Sequence, residues 1–314
     1  MVDPAIQQLL DTVFVTAPDP NAPDVAQLRA GAERSAVLGG VPEPLHDVRD
    51  LVAAGARGQR VPMRMYRPAS DPALPLVVYA HGGGWVTGSL DSHDRLCRQL
   101  ANRLGAAVLA VDYACAPEQR YPAALDDVDA AWHWCREEAR ALGVDPSRMA
   151  VAGDSSGGNL AAALTLRLRR RREAQPVLQL LLYPALDVRT TGDAFARYAE
   201  GFNLSAAMMR WYWRAYAPDG RPDDGELSPL AAADLSGLAP AVVLVAAVDV
   251  LRDDGLAYAR RLAESGVPVE VVDCPGMIHG FLRWSEAVPA VRSHIDRVCE
   301  LARRRLAPLD RPRL

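Results

Sequence analysis

Two short stretches and a few isolated side chains could together attack a carbonyl carbon. Gly153-Asp154-Ser155-Ser156-Gly157 follows the apolar run RMAVA and opens a run of helix-forming residues. G-x-S-x-G between a strand and a helix is a nucleophile elbow, a turn so tight that small flanking residues are needed. It pushes the serine hydroxyl out at the carboxyl edge of a sheet, and the helix amino terminus behind it favours developing negative charge. Taken alone, glycine and serine in this spacing also describe an ordinary turn. The glycine spacing does not suit a dinucleotide loop, and a phosphate loop needs a Gly-Lys step, whereas this chain has no lysine.

His81-Gly82-Gly83-Gly84-Trp85 ends a second apolar run, LVVYA. Consecutive glycines let backbone N–H groups turn to one point without side-chain interference. An oxyanion hole needs such donors in place before the tetrahedral oxygen forms. Gly83 and Gly84 are the candidates from this loop, with the N–H of Ser156, the residue after the nucleophile, as the third. The bland alternative is a flexible glycine turn.

A serine on an elbow needs a base and an acid, which follow it in the chain order Ser, acid, His. Two histidines follow Ser155. His294 lies in a helical pattern with charged neighbours and reads as a packing residue. His279 lies in CPGMIHGF, a glycine-flanked loop after the strand-like PVEVVDC, and is the candidate base. Asp249 ends the apolar run AVVLVAAVD, whereas Asp253 and Asp254 fall in the first turn of the next helix, where acids complement the dipole. The expected mechanism is attack by Ser155 on an ester carbonyl, proton transfer to His279 and orientation of His279 by Asp249. No metal or organic cofactor is required.

The elements that must position these groups alternate. LHDVRDLV (45–52) and RVPMRMYRP (60–68) read as antiparallel strands. LPLVVYA (74–80), AAVLAVDY (106–113), RMAVAGDS (148–155), QLLLYPALD (179–187), AVVLVAAVD (241–249) and PVEVVDCPG (268–276) read as further strands. Helical patterns run from Tyr121 to about Leu142, from Gly157 through Arg172, and from about Glu286 to Arg305. Continuous apolar strands separated by helices imply a mostly parallel sheet covered on both faces. The fold class is therefore α/β, of the α/β-hydrolase type, as a single domain over residues 1–314. Between two of the strands, roughly Val188 to Leu230, lies an aromatic and methionine-rich interruption. With residues 1 to about 44 it is expected to form a helical cap over the active site. Trp85, Phe202, Met208, Trp211 and Phe281 are candidate pocket residues.

Bulk composition narrows the partners. A formal charge of −4 and a pI near 5.9 argue against nucleic acid and anionic membranes. The arginine run Arg167 and Arg169 to Arg172 closes a helix and reads as a solvated end rather than a nucleic-acid patch. Trp132, His133 and Trp134 read as helix packing rather than a ligand box. Five dispersed cysteines without metal spacing fit reduced thiols. The first residues lack a signal pattern and no stretch is apolar enough to span a bilayer, so a cytoplasmic protein is expected.

At this point the chain resembles the hormone-sensitive-lipase-like (bacterial family IV) carboxylesterases. The resemblance rests on HGGGWVTGSLDSHDRLCRQLA (81–101), VDYACAPEQRYPAALDD (111–127), VAGDSSGGNLAAAL (151–164), DVLRDDG (249–255) and GMIHGF (276–281), in order. It implies the triad and oxyanion assignments above, the cap, and a preference for short to medium acyl chains. It also implies a homodimer surface at the carboxy-terminal helix and last strand. Three positions depart from the family pattern. Ser156 stands where alanine is usual, and Val250 replaces the proline after the triad acid. Ala114 stands where arginine is usual, in Tyr113-Ala114-Cys115-Ala116-Pro117-Glu118 against the family's Tyr-Arg-Leu-Ala-Pro-Glu. Two other readings of the same residues are an acyl transferase or lyase acting on a specialised metabolite, and a non-catalytic ligand receptor. Retention of Ser155, Asp249 and His279 argues against the receptor.

Overall fold

Each of the apolar runs becomes a strand of one sheet in the computed structural model, which describes residues 1–15, 19–55, 57–189 and 191–308. The strands are β1 (Asp47–Ala54), β2 (Arg60–Arg67), β3 (Leu74–Ala80), β4 (Ala107–Val111), β5 (Val144–Asp154), β6 (Gln179–Leu182), β7 (Ala241–Val248) and β8 (Val269–Ile278). Their order is β1-β2-β4-β3-β5-β6-β7-β8. β2 is antiparallel to both neighbours, and every other pairing is parallel.

Period-two alternation splits the strands between two cores. Leu76, Val78 and Ala80 of β3 join Val151, Trp132 and Leu160 on one face. Val77 and Tyr79 join Ala152, Leu96 and Ile295 on the other. Helices Ala123–Glu137, Ser156–Arg170 and Arg252–Glu264 cover the first face; Leu90–Leu104 and Ala290–Leu306 cover the second. All seven residues of β3 are buried, which is why that run carries no polar alternation.

Several boundaries differ from the sequence reading for local reasons. β6 stops at Leu182 because Tyr183 takes a φ of 37° and Pro184 follows, so the expected strand does not reach Asp187. The last helix starts at Ala290, behind Pro289, rather than at Glu286. The helix Leu90–Leu104 was not anticipated: it is polar apart from a stripe through Leu96, Leu100 and Leu104 that packs on the sheet. Its start was nonetheless written locally, since Ser89 and Ser92 form a capping box. Arg167 is a correction too. It is 5 % exposed, not solvated, because Asp126 (2.8 Å), Glu226 (2.9 Å) and Asp129 (3.6 Å) surround its guanidinium.

Helices Pro4–Thr12 and Val25–Ser35, the 3-10 turn Ala36–Gly39, and helices Asp193–Arg197 and Ala206–Tyr216 lie outside this sandwich in the chain. Val25–Ser35 contains no buried residue. It is held by polar contacts: Arg29 donates to the Val86 carbonyl (2.9 Å) and pairs with Glu118 (2.7 Å). Among the described residues no helix is long and apolar enough to cross a membrane.

Candidate active site

The elbow forms where β5 ends and the helix Ser156–Arg170 begins. Ser155 takes φ 56° and ψ −118°, a conformation that costs about 1–3 kcal/mol and survives only when its surroundings enforce it. Its N–H donates to the Leu182 carbonyl (2.8 Å) and its carbonyl accepts from the Ala185 N–H (3.1 Å), so the end of β6 and the turn after it hold both sides of the residue. Gly157 is required by proximity: a Cβ there would collide with the Ala80 carbonyl at the end of β3.

His279 reaches the elbow from the turn after β8. Its Nε2 lies 2.8 Å from Ser155 Oγ and its Nδ1 lies 2.7 Å from Asp249 Oδ2. Asp249 follows β7 directly, and its other oxygen accepts the Leu251 N–H at 2.9 Å, so the carboxylate is held at both ends. All three side chains are buried, between 2 and 8 % exposed, which strengthens their mutual interactions by excluding water. Asp253 and Asp254 do not merely face the helix dipole. Asp253 accepts the N–H of Ala194 (2.8 Å), and Asp254 accepts those of Leu186 (3.0 Å) and Asp187 (3.1 Å). Burial pushes the Asp254 carboxyl up to about 8, aided by the neighbouring Asp187 and Asp249 charges and opposed by those two backbone donors.

The glycine loop faces the same serine across the cleft. Gly83 (φ 130°) and Gly84 (φ 62°) use backbone conformations that side chains rarely adopt. A Cβ on Gly83 would strike the Thr87 carbonyl, and one on Gly84 would strike the Tyr212 ring. Among the described residues the N–H groups of Gly83, Gly84 and Ser156 donate to no protein acceptor. Gly82 is anchored instead: its N–H donates to Asp154 Oδ1 at 2.7 Å. The same oxygen accepts the Tyr79 hydroxyl (2.6 Å) and lies 3.4 Å from His93 Nε2. Burial would raise the Asp154 carboxyl, but His93 and the Tyr79 hydrogen bond outweigh it and hold the group well below the carboxylate range. His81 stacks on Tyr113 (4.2 Å, 18°), and burial, with His93 nearby, lowers it to about 3, so its ring is neutral.

Sequence reasoning missed this anchor. The position between glycine and serine in the elbow offered the one local hint of Asp154, and nothing near Tyr79 or His93 pointed to it.

Ser155, His279, Gly83 and Gly84 open on a cleft of about 1420 Å³ walled by the amino-terminal helices and the helix Ala206–Tyr216. Of the candidate pocket residues Met208 lines it, alongside Met209, Tyr212, Leu38 and Phe14. Four expected pocket residues lie elsewhere. Trp85 has φ 60°, which turns its indole away into the core, stacked on Tyr216 (4.5 Å, 1°) beside Trp213 (4.2 Å). Phe281 is fully buried against Tyr183 (5.7 Å) and His294 (5.7 Å). Phe202 packs on Tyr198 (5.6 Å), while its neighbours Gly201 and Asn203 line the cleft. Trp211 lies off the helix face that presents Met208 and Tyr212 to the cleft. Of the departures from the family pattern, Val250 and Ser156 are buried and Ala114, where the arginine is missing, is half-buried.

A serine, an imidazole and a carboxylate in this line, on this sheet, define an α/β hydrolase. The α/β-hydrolase-fold family model matches residues 77–283. Ethyl acetate hydrolase of Pseudomonas putida is 41% identical over 280 residues, covering 87% of this chain and 88% of that protein. The carboxylic ester hydrolase LipN of Mycobacterium tuberculosis is 38% identical, covering 95% of this chain and 84% of its own. The solved structure of a hyperthermophilic esterase from the archaeon Pyrobaculum calidifontis superposes with a TM-score of 0.89 at 37% identity, covering 96% of this chain and 98% of that one. The chain belongs to the hormone-sensitive-lipase-like carboxylesterases of the α/β-hydrolase fold, and it is a carboxylic ester hydrolase.

Proposed function

We propose that this chain hydrolyses esters of short- to medium-chain acids through an acyl-enzyme on Ser155. His279 takes the hydroxyl proton as Ser155 Oγ attacks the carbonyl carbon, and Asp249 fixes the imidazole tautomer and stabilises the imidazolium. The N–H groups of Gly83, Gly84 and Ser156 receive the oxyanion. The C–O bond to the alcohol then breaks, and His279 returns the proton to the leaving oxygen. Water, deprotonated by His279, then attacks the acyl carbon, the bond to Ser155 Oγ breaks as His279 returns the proton to that oxygen, and the acid leaves. The observation that carries this reading is the unbroken contact line from Asp249 through His279 to Ser155, 2.7 and 2.8 Å.

The name of the Pseudomonas putida relative refers to a small ester, which favours short acyl groups and hydrolysis over transfer. Residues 1 to about 44 and about 188–230 act as the cap, since Phe14, Leu38, Met208 and Tyr212 wall the cleft from those segments. Unpaired cysteines, four of them buried, suit a cytoplasmic setting. A homodimer through the edge strand β8 fits its single pairing partner and the exposed Val271.

The test is hydrolysis of p-nitrophenyl esters of increasing acyl length by wild type and Ser155→Ala. Activity should peak at short or medium chains, and the variant should keep its fold but lose the acylation burst. A variant that still acylates at the wild-type rate removes Ser155 from the mechanism.

A further inference from the structure

Arginine is the one cationic side chain of this protein besides histidine, and the half-buried arginines follow a rule. Among the described residues every one of them but a single case holds a carboxylate or a backbone carbonyl. Arg64, Arg98, Arg103 and Arg148 grip carboxylates at 2.6 to 2.8 Å, and Arg95 and Arg261 grip carbonyls at 2.5 to 2.7 Å. Arg29, Arg169 and Arg252 are likewise paired with acids. The case apart is Arg283. Among the described residues its guanidinium has no carboxylate within 4.0 Å, and its contact is a long one, 3.4 Å, to the Ser35 hydroxyl.

Arg283 lies four positions after His279, in the 3-10 turn Phe281–Trp284, and lines the same cleft as Ser155. Trp284, the next residue, also lines the cleft, and its indole N–H has no partner among the described residues. Arg34, on the helix Val25–Ser35, adds a second cation to the cleft lining. Of the acids that line the cleft, Asp11, Asp19 and Asp24 accept hydrogen bonds from Gln7, Asn21 and Gln27 and form no ion pair with Arg283, and the buried Asp154, which feels the Arg283 charge, accepts its hydrogen bonds from Gly82 and Tyr79. A guanidinium held partly out of water with no hydrogen-bonded anion has donors to spare, and a carboxylate takes them with two parallel hydrogen bonds.

We infer that Arg283 is a specificity-determining residue that binds a carboxylate carried by the substrate, so that the preferred esters are half-esters or other esters bearing a remote acid. The inference rests on Ser155 being the nucleophile of the same cleft, because the anion has to be tethered to the ester that Ser155 attacks.

The experiment compares carboxylate-bearing esters with neutral ones of similar length. Ethyl hydrogen adipate is set against ethyl hexanoate, placing the anion on the acyl side. 4-Acetoxybutanoate is set against butyl acetate, placing it on the alcohol side. Product acid is quantified chromatographically for wild type, Arg283→Met and Arg283→Lys. In at least one pair the wild-type kcat/KM favours the anionic ester. Arg283→Met then lowers that anionic-to-neutral ratio by about ten- to a hundredfold, through KM, as loss of a charge-assisted pair does. Arg283→Lys restores part of it. Free adipate also inhibits wild-type hydrolysis of ethyl hexanoate competitively, a readout that needs no variant to fold. A ratio unmoved by Arg283→Met in both pairs, or no inhibition by adipate at concentrations far above the KM for the half-ester, overturns the inference. Failure of the nucleophile assignment looks different, since Ser155→Ala would then keep hydrolysing all four esters.

Discussion

Asp154→Asn removes a charge from beneath the glycine loop while keeping the side chain's shape. The carboxylate oxygen Oδ1 accepts the Gly82 N–H at 2.7 Å and the Tyr79 hydroxyl at 2.6 Å, with His93 Nε2 at 3.4 Å, in a site where Asp154 is 2 % exposed. Hydrogen bonds to an ionised acceptor are about twice as strong as neutral ones, so each of the two bonds loses about 0.5–1.5 kcal/mol on neutralisation. The variant should therefore be about 1–3 kcal/mol less stable. The catalytic effect follows from geometry. Gly82 precedes the two proposed donors, and a misplacement of about 1 Å in such a group costs on the order of a hundredfold. We expect kcat on p-nitrophenyl butyrate to fall between tenfold and a hundredfold while KM changes little, because the cleft walls around Met208 and Tyr212 are untouched. Urea unfolding gives the stability change and pre-steady-state bursts give the acylation rate. A variant destabilised as stated but acylating within twofold of wild type would refute the reasoning, since Asp154 would then support the fold without positioning the donors.

Two further outcomes follow from the buried charges. Arg167→Met leaves Asp126, Asp129 and Glu226 facing one another without their shared cation, and should cost about 3–5 kcal/mol in urea unfolding. A loss below about 1 kcal/mol would mean that Arg170 and Arg171 carry the network. Asp254→Asn should alter the pH dependence of stability. The folded carboxyl keeps its proton up to about 8, whereas an unfolded one releases it near 3.9. The folded state therefore binds more protons in that window, so this group's contribution is full below about 4 and lost as pH rises through about 8. Asparagine keeps an acceptor for the Leu186 and Asp187 N–H groups without the charge. The melting temperature of the variant should gain on that of wild type from pH 5 to about 8 and level off above it, and parallel curves would show that Asp254 is ionised throughout.

The parts of the site legible in the sequence are those whose geometry is local. A G-x-S-x-G step between apolar strand and helix dictates its own turn, because Gly157 must pass the Ala80 carbonyl. Asp249 and His279 follow strand ends, so the parallel sheet brings them to one edge whatever the loops between them do. The two-core alternation of β3 and β5 was likewise written in apolar runs. Tertiary structure alone decided the rest. Trp85 adjoins the glycine loop in sequence, but a positive φ sends it into the core against Trp213 and Tyr216. Tyr79, His93 and Asp154 come from three elements and meet because β3, β5 and the helix Leu90–Leu104 pack together, and no spacing records that meeting. The same holds for Arg167, whose acids come from a neighbouring helix and a distant loop, and for Arg283, whose lack of an acid emerges only once the chain around it is folded. Local spacing determines backbone turns and which face of an element is apolar; which charge meets which partner depends on contacts between residues far apart in the chain, and those exist only in the folded whole.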